Sequence, residues 1–456
     1  MTTSYDVIIV GAQTGGSAAG IALAKKGLKV ALLDSKKYEK IGEKVCGDAT
    51  SSHYFERVKK EFGIPIEPPH GAEIRQEIEG FYFISPDRES KLRLDLPGGH
   101  IIDRFAFVRR LFKRAEDMGC DVLHSARVRK PVVTNDIVTG VEVRQRGNIS
   151  SLNAKIVIDA SGINAAIRRK LDPEKTFMDQ TIQGRDMCYC YREVRELKHE
   201  IEKPGMMRLF FDQKLCPGGY YWAFPAGQTK VNAGLGVEVT GSQPSAKQQF
   251  TENILKGSKD FSGVDFREST LLHGGGARVP LRRPIDTLVW NGLCLVGDAG
   301  SIVKPTDGGG IGLSVISAAV VSQPIADAIE QDNVLRSGPL WTYNVALMRS
   351  VGAINAPLAI LKLLVTQTSN KEINEVFGRG LLTAKDLESV NAGNGLALSY
   401  FEKLKRVARG RKILKLILKL RSALRNYKKA EKLYNIYPED FNGFGDWRKK
   451  ILKLYG

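Results

Sequence analysis

Residues 292–312 read Gly-Leu-Cys-Leu-Val-Gly-Asp-Ala-Gly-Ser-Ile-Val-Lys-Pro-Thr-Asp-Gly-Gly-Gly-Ile-Gly. The run Leu293 to Val296 is short, apolar and bounded by glycine, the pattern of a buried strand, and Gly297-Asp298 at its tip leaves one carboxylate facing a crevice. There Asp298 is placed to hold ribityl hydroxyls. Gly308, Gly309 and Gly310 then open an apolar helix from about Ile311 to Ser322, so that bare backbone N–H groups and the positive helix end reach a planar anion. A reduced flavin is such an anion.

A second glycine loop lies near the other end of the chain. Residues 5–34 read strand, glycine turn, helix, strand: Tyr-Asp-Val-Ile-Ile-Val, then Gly11 to Gly16, then Ser17 to Lys26, then Lys29 to Asp34. This is a βαβ nucleotide unit, with Asp34 at the tip of its second strand placed to accept from ribose hydroxyls. Gly11 and Gly16 keep the fingerprint, Gln13 replaces its middle glycine, and Gly15 is the candidate to compensate. Alone, the loop also fits a plain structural turn. Paired with the distant Gly-Asp and triple glycine, it points to FAD rather than NAD.

At 456 residues the chain is long enough for two or three domains. Its six cysteines form neither a CxxC pair nor a zinc array, so no metal is expected, and a strand begins by Tyr5 with no signal peptide ahead of it. These features fit a reducing, cytoplasmic setting. The helix from Ile311 meets Gln323-Pro324, and the run Ala353 to Val365 contains Asn355, Pro357 and Lys362, so no membrane crossing is expected.

The net charge is +18, and from Phe401 to Gly456 there are 17 Lys and Arg against 5 Asp and Glu. That concentration in a tail argues against nucleic acid. Ile413, Leu416, Ile417, Leu420, Leu424 and Tyr427 share one helical face, with Lys415, Lys419 and Lys429 opposite. Such a helix can lie on an anionic membrane, each basic residue contributing about 1 kcal/mol. Equally, it can pack its apolar face on the body and solvate its lysines.

Between the two loops, a helix from about Asp103 to Met118 carries Arg104 at its start, and Lys155 to Asp159 is a short apolar strand. Residues 72–96 and 206–240 have the alternation of antiparallel sheet, clearest where Val231, Ala233, Leu235, Val237 and Val239 interleave with Asn232, Gly234, Gly236 and Glu238. The expected fold is α/β (α+β). A doubly wound βαβ domain is discontinuous over 1–75, 100–180 and 275–330, a substrate domain of antiparallel sheet occupies 76–99 and 181–274, and a basic helical region spans 331–456.

Further motifs run nearly end to end: Lys44-Val45-Cys46-Gly47-Asp48-Ala49, Pro217-Gly218-Gly219-Tyr220-Tyr221-Trp222-Ala223-Phe224-Pro225, and Gly274-Gly275-Gly276-Ala277-Arg278-Val279-Pro280 followed by Arg282-Arg283-Pro284. With these the chain resembles the geranylgeranyl reductases, FAD enzymes of the para-hydroxybenzoate hydroxylase fold group, and looks most like the archaeal digeranylgeranylglycerophospholipid reductases. The resemblance implies saturation of isolated trisubstituted double bonds in a polyprenyl lipid, by hydride from reduced flavin and a proton from elsewhere. An unactivated alkene has no carbonyl to spread charge, so the second carbon must gain its proton nearly simultaneously. That chemistry needs a dry, aromatic-lined tunnel.

Tyr220 and Trp222 alternate along a strand and so face one side, where with Phe224 they suit the substrate wall. The resemblance puts Cys46 and Gly47 beside the isoalloxazine ring. A free cysteine thiol has a pKa of about 8.5 and is mostly protonated at neutral pH, so Cys46 either donates a proton or shapes the pocket. Arg104 either reaches the FAD phosphate or ribityl region or forms a surface salt bridge. Arg278, Arg282 and Arg283 meet a lipid phosphate or are structural, and Cys188 and Cys190 are read as structural.

A prenylated quinone or geranylgeranyl diphosphate remains open as substrate. An FAD monooxygenase or halogenase shares both cofactor loops, and a noncatalytic lipid-binding flavoprotein would share the basic tail. The electron donor is reduced ferredoxin or NAD(P)H. The expected protein is a monomer, attached peripherally to the inner face of the cell membrane through its basic C-terminal helices.

Overall fold

The computed structural model describes residues 4–238, 244–256, 263–391 and 414–455. One sheet runs in the order Val289–Trp290, Leu293–Leu295, Asn148–Asp159, Ser4–Val10, Val30–Leu33, Asp121–Leu123, parallel except at its first pair. Val7, Ile8 and Ile9 are all fully buried, because both faces of this parallel sheet are covered and leave no solvent side for polar residues. The helix Thr14–Ala24 is buried almost throughout, and packs against Arg104–Asp117 and Ile311–Glu330. Strands Ala126–Thr134 and Ile137–Gln145 fold antiparallel onto Asn148–Asp159.

The helix expected to stop near Ser322 continues through Pro324 to Glu330. Proline removes one backbone hydrogen bond, but Ile325 and Ala328 beyond it are fully buried, and their packing holds the helix together. At this length the helix is long and apolar enough to span a bilayer, yet 83% of that stretch is buried inside the fold. Trp341–Thr366 passes the same test of length and composition, with 56% buried.

The second sheet runs Ser269–Pro280, Met187–Leu197, Lys230–Glu238, Tyr220–Pro225, Met206–Phe210, Ile74–Ile84, Lys91–Ile102, Ala49–Ser51. Its pairs are antiparallel apart from Met206–Phe210 against Ile74–Ile84. Four pieces assigned from sequence to the nucleotide part, Ala49–Ser51 and residues 74–75, 100–102 and 275–280, belong to strands of this sheet, because each continues a ladder with a neighbouring strand. The alternation in Lys230–Glu238 is not buried against exposed, since residues 231–237 are all buried. Val231, Ala233, Leu235 and Val237 join a core with Phe250 and Ile254, and Asn232, Gly234 and Gly236 take the other face.

The C-terminal helices include Ala353–Thr366, Leu414–Asn435 and Phe444–Tyr455. Tyr434, Tyr437, Phe444, Trp447 and Ile451 enter the main core, and the Tyr437 hydroxyl donates to the Asp286 carbonyl at 2.9 Å. Leu416 and Tyr427 are buried while Lys419 and Lys429 are exposed, so the apolar face does pack on the body. The part of the basic amphipathic stretch at 401–413, Ile413 included, and the side chains of Lys415 and Ile417 lie outside the described residues.

Candidate active site

A single cavity of about 2280 Å³ runs between the two sheets and on to the C-terminal helices. That exceeds the roughly 300–1,000 Å³ of an ordinary small-molecule site, leaving room for a dinucleotide and a second long ligand. At the nucleotide loop the wall holds Gly11, Gln13, Thr14, Gly15 and Asp34. Gly11 has φ +104°, and a Cβ there would sit 2.6 Å from the Ala160 carbonyl oxygen. Gly16 does not reach the cavity; a Cβ on it would run into the Gly11 carbonyl, so it serves the close packing of the turn. The Asp34 carboxylate accepts from the backbone N–H of Ala12 at 3.0 Å and of Lys36 at 2.9 Å, and so braces the loop as well as facing the cavity.

Gln13 lies on the cavity wall with its amide nitrogen and oxygen buried, and neither these nor the Nε of buried Arg104 has a partner among the described residues. Buried polar groups without partners are rare, and a dinucleotide's phosphates and sugar hydroxyls would satisfy both. At the opposite wall Asp298 lines the cavity and pairs with Lys44 at 3.0 Å. Gly308 and Gly309 donate their N–H groups inside the loop, to the Lys304 carbonyl and the Asp307 carboxylate. The donors left for a ligand are therefore those at the start of the helix Ile311–Glu330, whose N-cap Gly310 provides no side-chain cap. The residues fit FAD.

Between these cradles and the second sheet stands Cys46, half-buried and free. Its carbonyl accepts from Arg192 Nε at 3.1 Å and Asn232 Nδ2 at 2.9 Å. Asn232 also donates to Asp48 Oδ2 at 3.0 Å and accepts from Trp222 Nε1 at 3.2 Å, so one amide fixes the thiol's segment, the buried acid and the indole together. Arg104 and Asp48 both stand near the Cys46 side chain and interact with it electrostatically. Burial raises Asp48 to a pKa of about 6, against the lowering pull of Arg192 and Arg104. Its Oδ1 has no partner among the described residues.

Tyr220, Trp222 and Phe224 share one face of their strand, with ring centroids 6.0 and 6.1 Å apart, and line the cavity with Gly47. The Tyr220 hydroxyl donates to the Asp307 carbonyl at 2.7 Å, tying the aromatic wall to the glycine loop. Burial lifts its pKa well above the ordinary phenol value. Space for Trp222 comes from Gly234, where a Cβ would approach the indole to 2.5 Å.

Gly11, Gly15, Asp34, Cys46, Gly47, Arg104, Tyr220, Trp222, Phe224, Asp298, Gly308, Gly309, Gly310 and Ile311 thus surround one cavity. Asn232 and Arg192 are not singled out by the sequence; the visible signal is a lone amide among small residues on one face of a strand. Arg282 and Arg283 are structural, buried in ion pairs with Asp179 and Asp286, whereas Arg278 lines the cavity. Cys188 and Cys190 also line it, with sulfurs 3.7 Å apart. The hydrogen bond with Cys188, followed by burial, raises the Cys190 pKa well above the usual thiol value.

Residues 186–274 match the family model of the geranylgeranyl reductase catalytic domain, and residues 6–167 that of FAD dependent oxidoreductases. Digeranylgeranylglycerophospholipid reductase of Sulfolobus acidocaldarius is 34% identical over 449 residues, 98% of this chain and 96% of that protein. A digeranylgeranylglycerophospholipid reductase of Methanopyrus kandleri is 29% identical over 73% of this chain and 80% of its own length. Among solved structures, a geranylgeranyl bacteriochlorophyll reductase-like protein from Thermoplasma acidophilum superposes with a TM-score of 0.74 at 21% identity, over 92% of this chain and 99% of that one. A flavin-dependent brominase shares the fold with a TM-score of 0.65 at 15% identity, over 91% and 100% of the two chains.

Proposed function

The chain belongs to the digeranylgeranylglycerophospholipid reductases, FAD-dependent oxidoreductases of archaeal lipid biosynthesis that act on C=C bonds, and from that membership we propose that it saturates the isolated double bonds of geranylgeranyl chains in an ether-lipid precursor. The observation that carries this reading is the continuity of the dinucleotide cleft with an apolar space walled by Tyr220, Trp222 and Phe224. Bound FAD supplies the hydride. The protein binds the alkene against aromatic faces that tolerate positive charge on the more substituted carbon, and excludes water from it. The other carbon takes its proton from the Cys46 thiol, which is refilled from Asp48 behind it; the unpartnered Asp48 Oδ1 is free to carry that proton. Asn232 holds thiol segment, acid and indole in one register.

The protein works at a membrane surface, where Ile354 and Leu418 stand exposed on the C-terminal helices, Leu418 beside exposed Lys419. Its electrons come from reduced ferredoxin or NAD(P)H. Product masses test the reading: dithionite-reduced protein incubated without oxygen with digeranylgeranylglyceryl phosphate yields lipid that gains hydrogen stepwise. Unchanged lipid masses would refute it, and substrate-linked oxygen consumption with an oxygenated product would assign the chain to monooxygenase chemistry instead.

A further inference from the structure

The cavity does not end at the aromatic wall. It continues along the C-terminal helices, lined there by apolar side chains such as Val365, Phe377, Leu416, Leu420 and Leu424. On the helix Leu414–Asn435, Arg421, Arg425 and Lys428 line the same cavity, each one residue on from Leu420, Leu424 or Tyr427. Spacings of four and three residues put the three cations in one stripe along the flank of the apolar face. All three are exposed, and none has a carboxylate partner among the described residues. Lys44, Lys304 and Arg192 on the cavity wall are paired with Asp298, Asp307 and Asp48, whereas Arg278, on the second sheet, is exposed without a carboxylate partner among the described residues. Glu431, on the same wall, offsets part of the charge. Like charges a helical turn apart repel, so the stripe is electrostatically incomplete until an anion joins it.

We propose that Arg421, Arg425 and Lys428 bind the phosphate of the lipid substrate, holding its headgroup at the edge of the cavity while the prenyl chain runs along the apolar wall toward Trp222. This rests on the reductase reading and adds to it the place where that lipid's anionic headgroup is held. Arginine forks and a lysine ammonium on an apolar flank match such a group, and an uncharged headgroup would leave them unpaired. The anchor also limits how far the chain can advance past the reacting centre, so it sets which double bonds are reached.

The test compares the full-length, FAD-loaded protein with the Arg421→Gln/Arg425→Gln/Lys428→Gln variant on two lipids, digeranylgeranylglyceryl phosphate and uncharged digeranylgeranylglycerol. The ratio of kcat/KM for phosphate lipid over uncharged lipid falls about tenfold or more in the variant, through KM. Millimolar inorganic phosphate inhibits the wild type weakly and competitively if the stripe takes phosphate of any source; absence of that inhibition with the selectivity loss intact assigns the site to the lipid-borne group. An unaltered ratio overturns the proposal, whether both lipids are unaffected or both decline together. So does a variant whose sole change is weaker binding to vesicles containing anionic phospholipid, which would make the stripe a bilayer contact. If the wild type saturates neither lipid, the reductase reading fails, and equilibrium binding of the saturated phosphate lipid then decides the site: equal affinity in wild type and variant overturns it.

Discussion

At Asp48 a carboxyl group is buried beside a thiol on a backbone with φ +61°, a conformation that Asp and Asn tolerate better than most residues. Burial lifts its pKa from 3.8 to about 6. An acid whose folded pKa exceeds its unfolded one binds protons more tightly when folded, so its stabilising contribution is complete below the unfolded value and is lost as pH rises toward the folded one. Relative to wild type, Asp48→Asn should therefore gain stability between about pH 4 and about pH 7, by about 3 kcal/mol at most, read from paired thermal melts. A parallel pH dependence in the two proteins would remove the buried acid from the account. Trp222→Ala and Cys46→Ala should each lower turnover on the order of 10-fold or more, with the flavin absorbance of the purified protein retained. Unaltered turnover in both would displace the site. Cys46 and Trp222 are legible in the sequence because they sit in compact motifs. Asn232 is not, since its three contacts come from segments that only the sheet brings together.

The strand Lys230–Glu238 shows what alternation does and does not reveal. Its period of two is plain, and the sheet has that register, but the polar-or-glycine face is buried too, because the neighbouring rings need the room. Gly234→Ala tests this: its Cβ would lie 2.5 Å from Trp222 Cζ2 and 2.6 Å from Arg192 Cβ. Overpacking of that kind costs about 1–3 kcal/mol, so a lowered melting temperature and reduced turnover are expected with FAD still bound. A variant as stable and active as wild type would show the wall to be yielding. The helix Ile311–Glu330 outruns its expected end for a related reason, since a proline's local penalty is visible in sequence and the tertiary packing that outweighs it is not.

Across the whole molecule, the two cofactor cradles are legible at both ends of the chain because each is a local strand–turn–helix signature. The substrate sheet is legible in outline, whereas its edges are not, as Ala49–Ser51 is recruited by a distant strand. The C-terminal region is legible as an amphipathic helix, but the choice between packing and membrane contact needs three dimensions. Tyr434, Tyr437, Phe444 and Trp447 are buried in the main core. Losing a core aromatic side chain costs about 3–5 kcal/mol and total stability is about 5–15 kcal/mol, so deletion of residues 411–456 should leave protein that neither folds nor retains flavin. A soluble, yellow truncated protein would show the helices to be an appendage. Activity as a whole turns on electrons passing from the dinucleotide cleft to an alkene in the adjoining apolar space. The most direct measurement is the visible absorbance of dithionite-reduced protein, freed of excess reductant and mixed without oxygen with either the unsaturated phosphate lipid or its fully saturated counterpart. Oxidised-flavin absorbance should return with the unsaturated lipid alone; no return with it, or equal return with both, would contradict the account.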